Sequence, residues 1–425
     1  MKLSSYWLDS VSGFSKGEQG SAVGHYDVAV VGGGYTGLSA AVELAKQGVS
    51  VVLFEGGRVI GEASGRNGGQ CNAGLAHDYG SLASKIGQKN ATDYYRAYLD
   101  AVDSVETLVK DENIDCDFSR NGRIKLAAKP AHYEALKRAY DRLVSDVDPN
   151  VKLLTPAQVC EETGTDRFYG GLLQTTSAQM HMGKFGKGLA DVAVGYGAKI
   201  FENAPVSTIE RSSNGRYQVE STRGRVQVDN IFLATGSSAS GPFQYFRRRL
   251  VSVGSFIIVT EPLDPDVLET LLVNQRSYVT TKNIGNYFRI TPDNRMLFGG
   301  RARFAMSSPV SDQKSGRILR NAMIETFPVL KNVKVDYCWG GLVDMTADRL
   351  PRAGQHEGMY FSLGYSGHGV QMSTHMGKVM ANVITGKATN NPWRNLDWRP
   401  VPGHFGKPWF LPIVGAYYRF QDLIH

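Results

Sequence analysis

The strongest chemical signal in these 425 residues is the run Val31-Gly32-Gly33-Gly34-Tyr35-Thr36-Gly37, followed by an acid at Glu55. Glycines at 32, 34 and 37 suit a chain that turns tightly, lets a pyrophosphate reach the backbone, and packs helix closely on strand. The apolar run 26–31 predicts a strand, 38–47 a helix and 49–54 a second strand, so the motif sits at a strand-to-helix turn. A helix start there offers unpaired N–H groups to phosphate charge, and Glu55, about 20 residues on, can bond a ribose. The segment is read as a dinucleotide site.

Two further glycine-dense segments extend it. Residues Gly61 to Gln70 are polar and flexible, and Ser64, Arg66, Asn67 and Gly68 suit hydrogen bonding to a phosphate or to the edge of a flavin ring. Gly364-Tyr365-Ser366-Gly367-His368-Gly369-Val370 follows a short strand, 359–363, and precedes an amphipathic stretch, 371–384. It aims a second helix start at a ligand, where the positive end of the helix would stabilise the negative charge of a reduced flavin. A strand ending Leu233-Ala234-Thr235-Gly236 brings small residues back to the first sheet.

Composition narrows the classes. The formal charge of +7 is spread without a basic run, which argues against nucleic-acid binding. Cys71, Cys116, Cys160 and Cys338 have no close spacing, so neither a metal site nor a disulfide framework is expected. The first ten residues lack the apolar core of a secretory signal and no stretch approaches a membrane span, so a cytoplasmic protein is expected.

The elements that must position these loops follow from periodicity. Helices are predicted over 91–110, 131–144 and 185–197, strands over 200–219 and 227–234, and an antiparallel sheet over 250–303 with a hairpin turn at Asp293-Asn294. The fold class is α/β: a Rossmann-like cofactor domain formed by 26–105, 180–249 and 336–386, with a second, mostly antiparallel α+β domain formed by 106–179 and 250–335. The remainder, 387–425, is an aromatic and basic tail in which Ile413, Tyr417, Phe420 and Ile424 align on one helical face. It packs on its own fold or a partner subunit, or lies on an anionic membrane.

These motifs, in this order, resemble the D-amino-acid oxidase (DAO) family of FAD-dependent oxidoreductases, also called the glycine oxidase or sarcosine oxidase family. Tyr6-Trp7-Leu8 and Ser64-Gly65-Arg66-Asn67-Gly68-Gly69-Gln70 are most similar to its gamma-glutamylputrescine oxidoreductase branch. The resemblance implies an extended FAD. Gly32, Gly34, Gly37, Glu55, Ser64, Arg66, Asn67, Gly68, Gly236, Gly367, His368, Gly369 and Val370 are its expected contacts, with the backbone of Val206 at the adenine. It further implies oxidation of a C–N bond: hydride passes to flavin N5 from the carbon beside an uncharged amine, water hydrolyses the resulting imine, and dioxygen or another acceptor reoxidises the flavin. His181, Arg289, Trp339 and Tyr365 are the candidates for substrate handling.

Two departures qualify the resemblance. Relatives that oxidise amino acids often carry Gly-Leu-Arg-Pro after the tryptophan strand, the arginine pairing with the substrate carboxylate, whereas this chain has Gly341-Leu342-Val343-Asp344. Either Arg289, Arg301 or Arg303 replaces the clamp, or, more simply, the expected substrate is an amine or one whose carboxylate lies elsewhere, as in a gamma-glutamylated amine. Relatives that tether flavin to cysteine do so where Met345 and Thr346 stand here, so noncovalent FAD is expected. The competing readings are a membrane-associated flavin dehydrogenase, acting on an amino acid such as pipecolate and reducing a quinone, an NAD-dependent dehydrogenase, and a non-enzymatic cofactor-bearing interaction protein.

Overall fold

The structure, a computed structural model, describes residues 1–236, 241–301, 307–394 and 396–424. Arg303 lies outside them. The first sheet runs Arg352–His356, Met359–Leu363, Gly224–Leu233, His25–Val31, Val51–Phe54, Lys199–Phe201, and its central pairings are parallel. Its strands alternate between two apolar layers. Val28, Val30 and Leu53 pack beneath helices Tyr35–Lys46, Met182–Gly195 and Gly369–Ile384, whereas Ala29, Val31 and Phe54 face Val206, Tyr217 and Val219 of a hairpin laid on the other side. The stretch expected as one strand over 200–219 is three: Lys199–Phe201, Val206–Arg211 and Tyr217–Ser221, the last two separated by a turn in which Gly215 takes φ +86°.

The second sheet is ordered Val335–Met345, Val251–Pro262, Arg295–Gly300, Asn286–Ile290, Ser277–Thr280, Arg123–Leu126, Gly171–Gln174, Lys152–Leu154. All its pairings are antiparallel except Ser277–Thr280 with Arg123–Leu126. One face stacks Tyr278, Phe288 and Phe298 beneath helix Pro309–Thr326, and the other faces the cofactor domain. The stretch 336–345, placed by the sequence reading with the cofactor domain, lies in this sheet, because Val251–Pro262 pairs with it along nearly its whole length. In the tail, Trp393 is buried against Tyr94, Trp398 packs on Phe246 and Phe361, and His404 meets Leu250 O. Helix Leu411–Ile424 is held at its far end by the Asp422 carboxylate, which accepts from the N–H groups of Asn283 and Ile284. Among the described residues no helix is long and apolar enough to cross a membrane.

Helices Tyr35–Lys46 and Gly369–Ile384 touch backbone to backbone. A Cβ on Gly377 would overlap Thr36 O and stand 3.0 Å from Ala40 N, and Ser39 Oγ donates to Thr374 O at 2.6 Å. Gly377→Ala is expected to lose about 1–3 kcal/mol despite the better helix propensity of alanine, because backbone cannot yield as a side chain can. A urea midpoint equal to that of the wild type would refute this close approach.

Candidate active site

The first cradle forms where Gly32, at φ +111°, turns the chain out of strand His25–Val31. A Cβ there would stand 2.5 Å from Ala234 O, and one on Gly37 would overlap Gly32 O, so both positions require glycine. Helix Tyr35–Lys46 starts at Gly34, earlier than its periodicity predicts, and no side chain of Gly34 is there to cap it. Ser64 Oγ approaches instead, accepting from Tyr35 N–H at 3.1 Å. Glu55 stands beside this end, one carboxylate oxygen accepting from Gly33 N–H (2.6 Å) and the other from Gly57 N–H (2.7 Å). Burial raises its pKa while those N–H groups oppose the rise.

The segment 61–70 contains a short helix, Ala63–Arg66, and is braced from three sides. Arg66 donates from Nε to Gly61 O (2.8 Å) and from Nη1 to Gly340 O (3.1 Å). Trp7 Nε1 donates to Asn67 O and Trp339 Nε1 to Arg66 O, and Asn67 Oδ1 accepts from Gly69 N–H. Arg66 and Asn67 thus hold the loop, while Ser64 and Gly68 line its inner side: a Cβ on Gly68 would stand 2.8 Å from the Tyr287 ring.

The second cradle is the start of helix Gly369–Ile384, which has no side-chain cap. It meets the first through Tyr365, whose hydroxyl lies 2.9 Å from Thr36 Oγ1 and 2.9 Å from Ser362 Oγ. Burial pushes that phenol up to about 12, so it stays neutral. Gly236, at φ +56°, lies against the Asp344 carboxylate. Val206 is buried at the start of its strand, on the far side of the first sheet from both helices. Around the cradles Thr235 Oγ1, Asn72 Oδ1, Gln371 Oε1 and His368 Nδ1 are buried without a partner, which a bound polar ligand would satisfy. Two uncapped helix starts, a ribose-type acid and these orphaned atoms fit a long dinucleotide such as FAD.

The four substrate-handling candidates divide. Tyr365 and Trp339 lie on segments that border the cradles. His181 caps helix Met182–Gly195, Nδ1 accepting from Lys184 N–H (3.2 Å) while Nε2 lies 3.0 Å from Ser10 Oγ; both nitrogens are engaged and burial pushes its pKa down to about 4. Arg289 is 1% exposed, its Nη1 donating to Gly69 O (2.6 Å) and Met180 O (3.1 Å) beneath the Trp7 ring. Its Nη1 thus holds the backbone of the loop 61–70 and of Met180. Thr36, Gln371 and Tyr287 are the site residues that sequence reasoning passed over. Only Tyr287, within a run already read as a strand, carried a signal there.

The chain belongs to the DAO family of FAD dependent oxidoreductases, which matches residues 27–383. It is 32% identical to Probable oxidoreductase OrdL of Haemophilus influenzae, over 98% of this chain and 97% of that protein. It is 29% identical to gamma-glutamylputrescine oxidoreductase of Escherichia coli, over 93% of this chain and 92% of the relative. Among solved structures it resembles glycine oxidase from Geobacillus kaustophilus (TM-score 0.74, 21% identity, 88% of this chain and 99% of the other). It also resembles L-proline dehydrogenase from P. horikoshii (TM-score 0.71, 20% identity, 94% and 99%). These two likenesses establish the fold. The chain is an FAD-dependent amine or amino-acid oxidoreductase, which sets aside the nicotinamide and non-enzymatic readings.

His181, His368 and His375 are held neutral, burial lowering their pKa values to about 4, 3 and 4. The unfolded chain takes up these protons near pH 6.5 and the folded chain does not, so stability falls as pH drops from about 6.5 toward 4. His181→Asn keeps a helix-capping acceptor and removes one titration. The slope of unfolding free energy against pH in that window is expected to be shallower than in the wild type by roughly 1.4 kcal/mol per pH unit; an unchanged slope would show that His181 is not neutral in the fold.

Proposed function

We propose that this chain oxidises the C–N bond of an amine whose carboxylate lies away from the reacting carbon, with gamma-glutamylated amines as the leading class. One observation carries the reading: Val343 stands where relatives that oxidise amino acids carry the clamp arginine, and Arg289, one of the candidate replacements, is bound to backbone carbonyls. The likeness to gamma-glutamylputrescine oxidoreductase supports it. Bound FAD supplies a hydride acceptor at N5.

The chain's own part is to orient the carbon, hold the amine uncharged and keep water out. Trp339, 1% exposed and tied to Arg66 O, offers a fixed wall. Tyr365, neutral and pinned to Thr36, offers a hydroxyl where the two cradles meet. FAD is held noncovalently in this reading: Met345 and Thr346 offer no thiolate, and Cys338 faces the opposite apolar layer with its thiol pushed up to about 12. Dioxygen is the proposed acceptor. Mixed anaerobically with a panel of amines, the holoenzyme is expected to be bleached faster by gamma-glutamyl amines than by simple alpha-amino acids; the reverse order would overturn the reading.

One observation favours a second acceptor, a membrane quinone. Helix Leu411–Ile424 leaves Ile413, Tyr417, Phe420 and Ile424 between 54% and 66% exposed on one face, and the neighbouring Phe405 lies against the Arg248 guanidinium. An apolar face with basic neighbours suits an anionic lipid surface. In this reading the protein sediments with phosphatidylglycerol vesicles and hardly with phosphatidylcholine vesicles, and Ile413→Ser with Phe420→Ser weakens binding roughly tenfold. Equal sedimentation of both proteins would leave dioxygen as the acceptor.

A further inference from the structure

Strand Arg123–Leu126 sends alternate side chains to opposite sides of the second sheet. Ile124 and Leu126 enter the apolar layer with Phe288 and Phe298, so Arg123 and Lys125 face the other way, toward the cofactor domain. Lys125 stands opposite Val279, Val279 opposite Tyr287, and Tyr287 opposite Gly299. Lys125 therefore shares a transverse row with Tyr287, two strands or about 10 Å distant, and Tyr287 is the ring against Gly68 in the flavin loop.

The two cations differ in what they touch. Arg123 donates to Gln174 Oε1 and to Ala73 O, at 2.9 Å for the latter. Among the described residues no acceptor lies within hydrogen-bonding or ion-pairing reach of Lys125 Nζ. Asp78, the carboxylate nearest in effect, accepts from Ser81 N–H at the start of helix Tyr79–Ile86. The charges of Lys125, Arg123 and Arg349 are felt at His368, at the start of helix Gly369–Ile384. In the same wall the fully buried Tyr98 hydroxyl and His368 Nδ1 lack partners, their rings edge-to-face at 5.6 Å. Burial lowers the Lys125 pKa to about 8, the mark of an ammonium short of a counter-charge.

We infer that Lys125 binds the substrate's carboxylate, at a distance from the C–N bond that is oxidised. The inference rests on the remote-carboxylate reading above and names the residue that serves it. An alpha-amino acid carries its carboxylate on the reacting carbon itself; a gamma-glutamyl amine carries it many bonds away, which suits a cation set two strands along the sheet from the ring against Gly68.

The test uses holoenzyme and two inert ligands, gamma-glutamylbutylamide and 4-aminobutanoylbutylamide, which differ only in the carboxylate. Binding is read by calorimetry and KM and kcat with gamma-glutamylputrescine. Lys125→Met is expected to weaken the carboxylated ligand roughly ten- to a hundredfold and leave the other within about twofold, as loss of one charged hydrogen bond requires. KM rises while kcat stays within about threefold, and Lys125→Arg restores most of the affinity. Unchanged binding in Lys125→Met, or equal loss of both ligands, overturns the assignment of Lys125 while oxidation of gamma-glutamylputrescine by the wild type keeps the functional reading intact. A wild type that neither binds nor oxidises any gamma-glutamyl compound overturns the functional reading, and the inference falls with it.

Discussion

The architecture depends on one close approach, that of helices Tyr35–Lys46 and Gly369–Ile384. Gly377 lets the second helix settle on the Thr36 carbonyl, Ser39 bonds Thr374 O, and Tyr365 reaches across to Thr36 Oγ1. Each helix begins without a side-chain cap. Brought together, their N-termini form two positive backbone ends, suited to the opposite ends of one extended anionic cofactor. Larger residues along this seam would part the helices, and no change within either loop alone would restore the site.

The second sheet works against that pair because its faces differ. Aromatic stacking of Tyr278, Phe288 and Phe298 fixes one face rigidly beneath helix Pro309–Thr326. The other carries Trp339, Tyr287, Arg289 and Lys125. Arg289, beneath Trp7, bonds the carbonyls of Gly69 and Met180, and Trp7 also bonds Asn67 O. A buried arginine bonded to two carbonyls in this way acts as a strut. The N-terminal segment is therefore part of the scaffold of the loop 61–70, and His181, edge-to-face with the same Trp7 at 4.8 Å, belongs to that scaffold as a neutral cap. Among the described residues His181 and Arg289, which look reactive in isolation, already bond their neighbours, while Lys125, plain in sequence, meets no acceptor.

Much of this was legible in the linear chain. Local rules sufficed for the glycine motif, for Glu55 at the end of its strand, for the start of helix Gly369–Ile384 and for the family, because turn chemistry, strand alternation and helix periodicity act over a few residues. Less was legible where geometry depends on partners. Local alternation predicts a continuous strand over 200–219 because the turn at Asn214-Gly215 is short, and it carries no sign that 336–345 pairs with Val251–Pro262, which is a long-range choice.

The sequence by itself determined that a dinucleotide is held by a Rossmann-like turn, and that Val343 rather than arginine follows Gly341-Leu342. Only the tertiary structure decided which polar side chains are free to meet a ligand. That difference has one physical cause: a motif is a property of neighbours in the chain, while availability depends on whether a distant carbonyl has already met the donor, as Gly69 O has met Arg289 and, among the described residues, none has met Lys125.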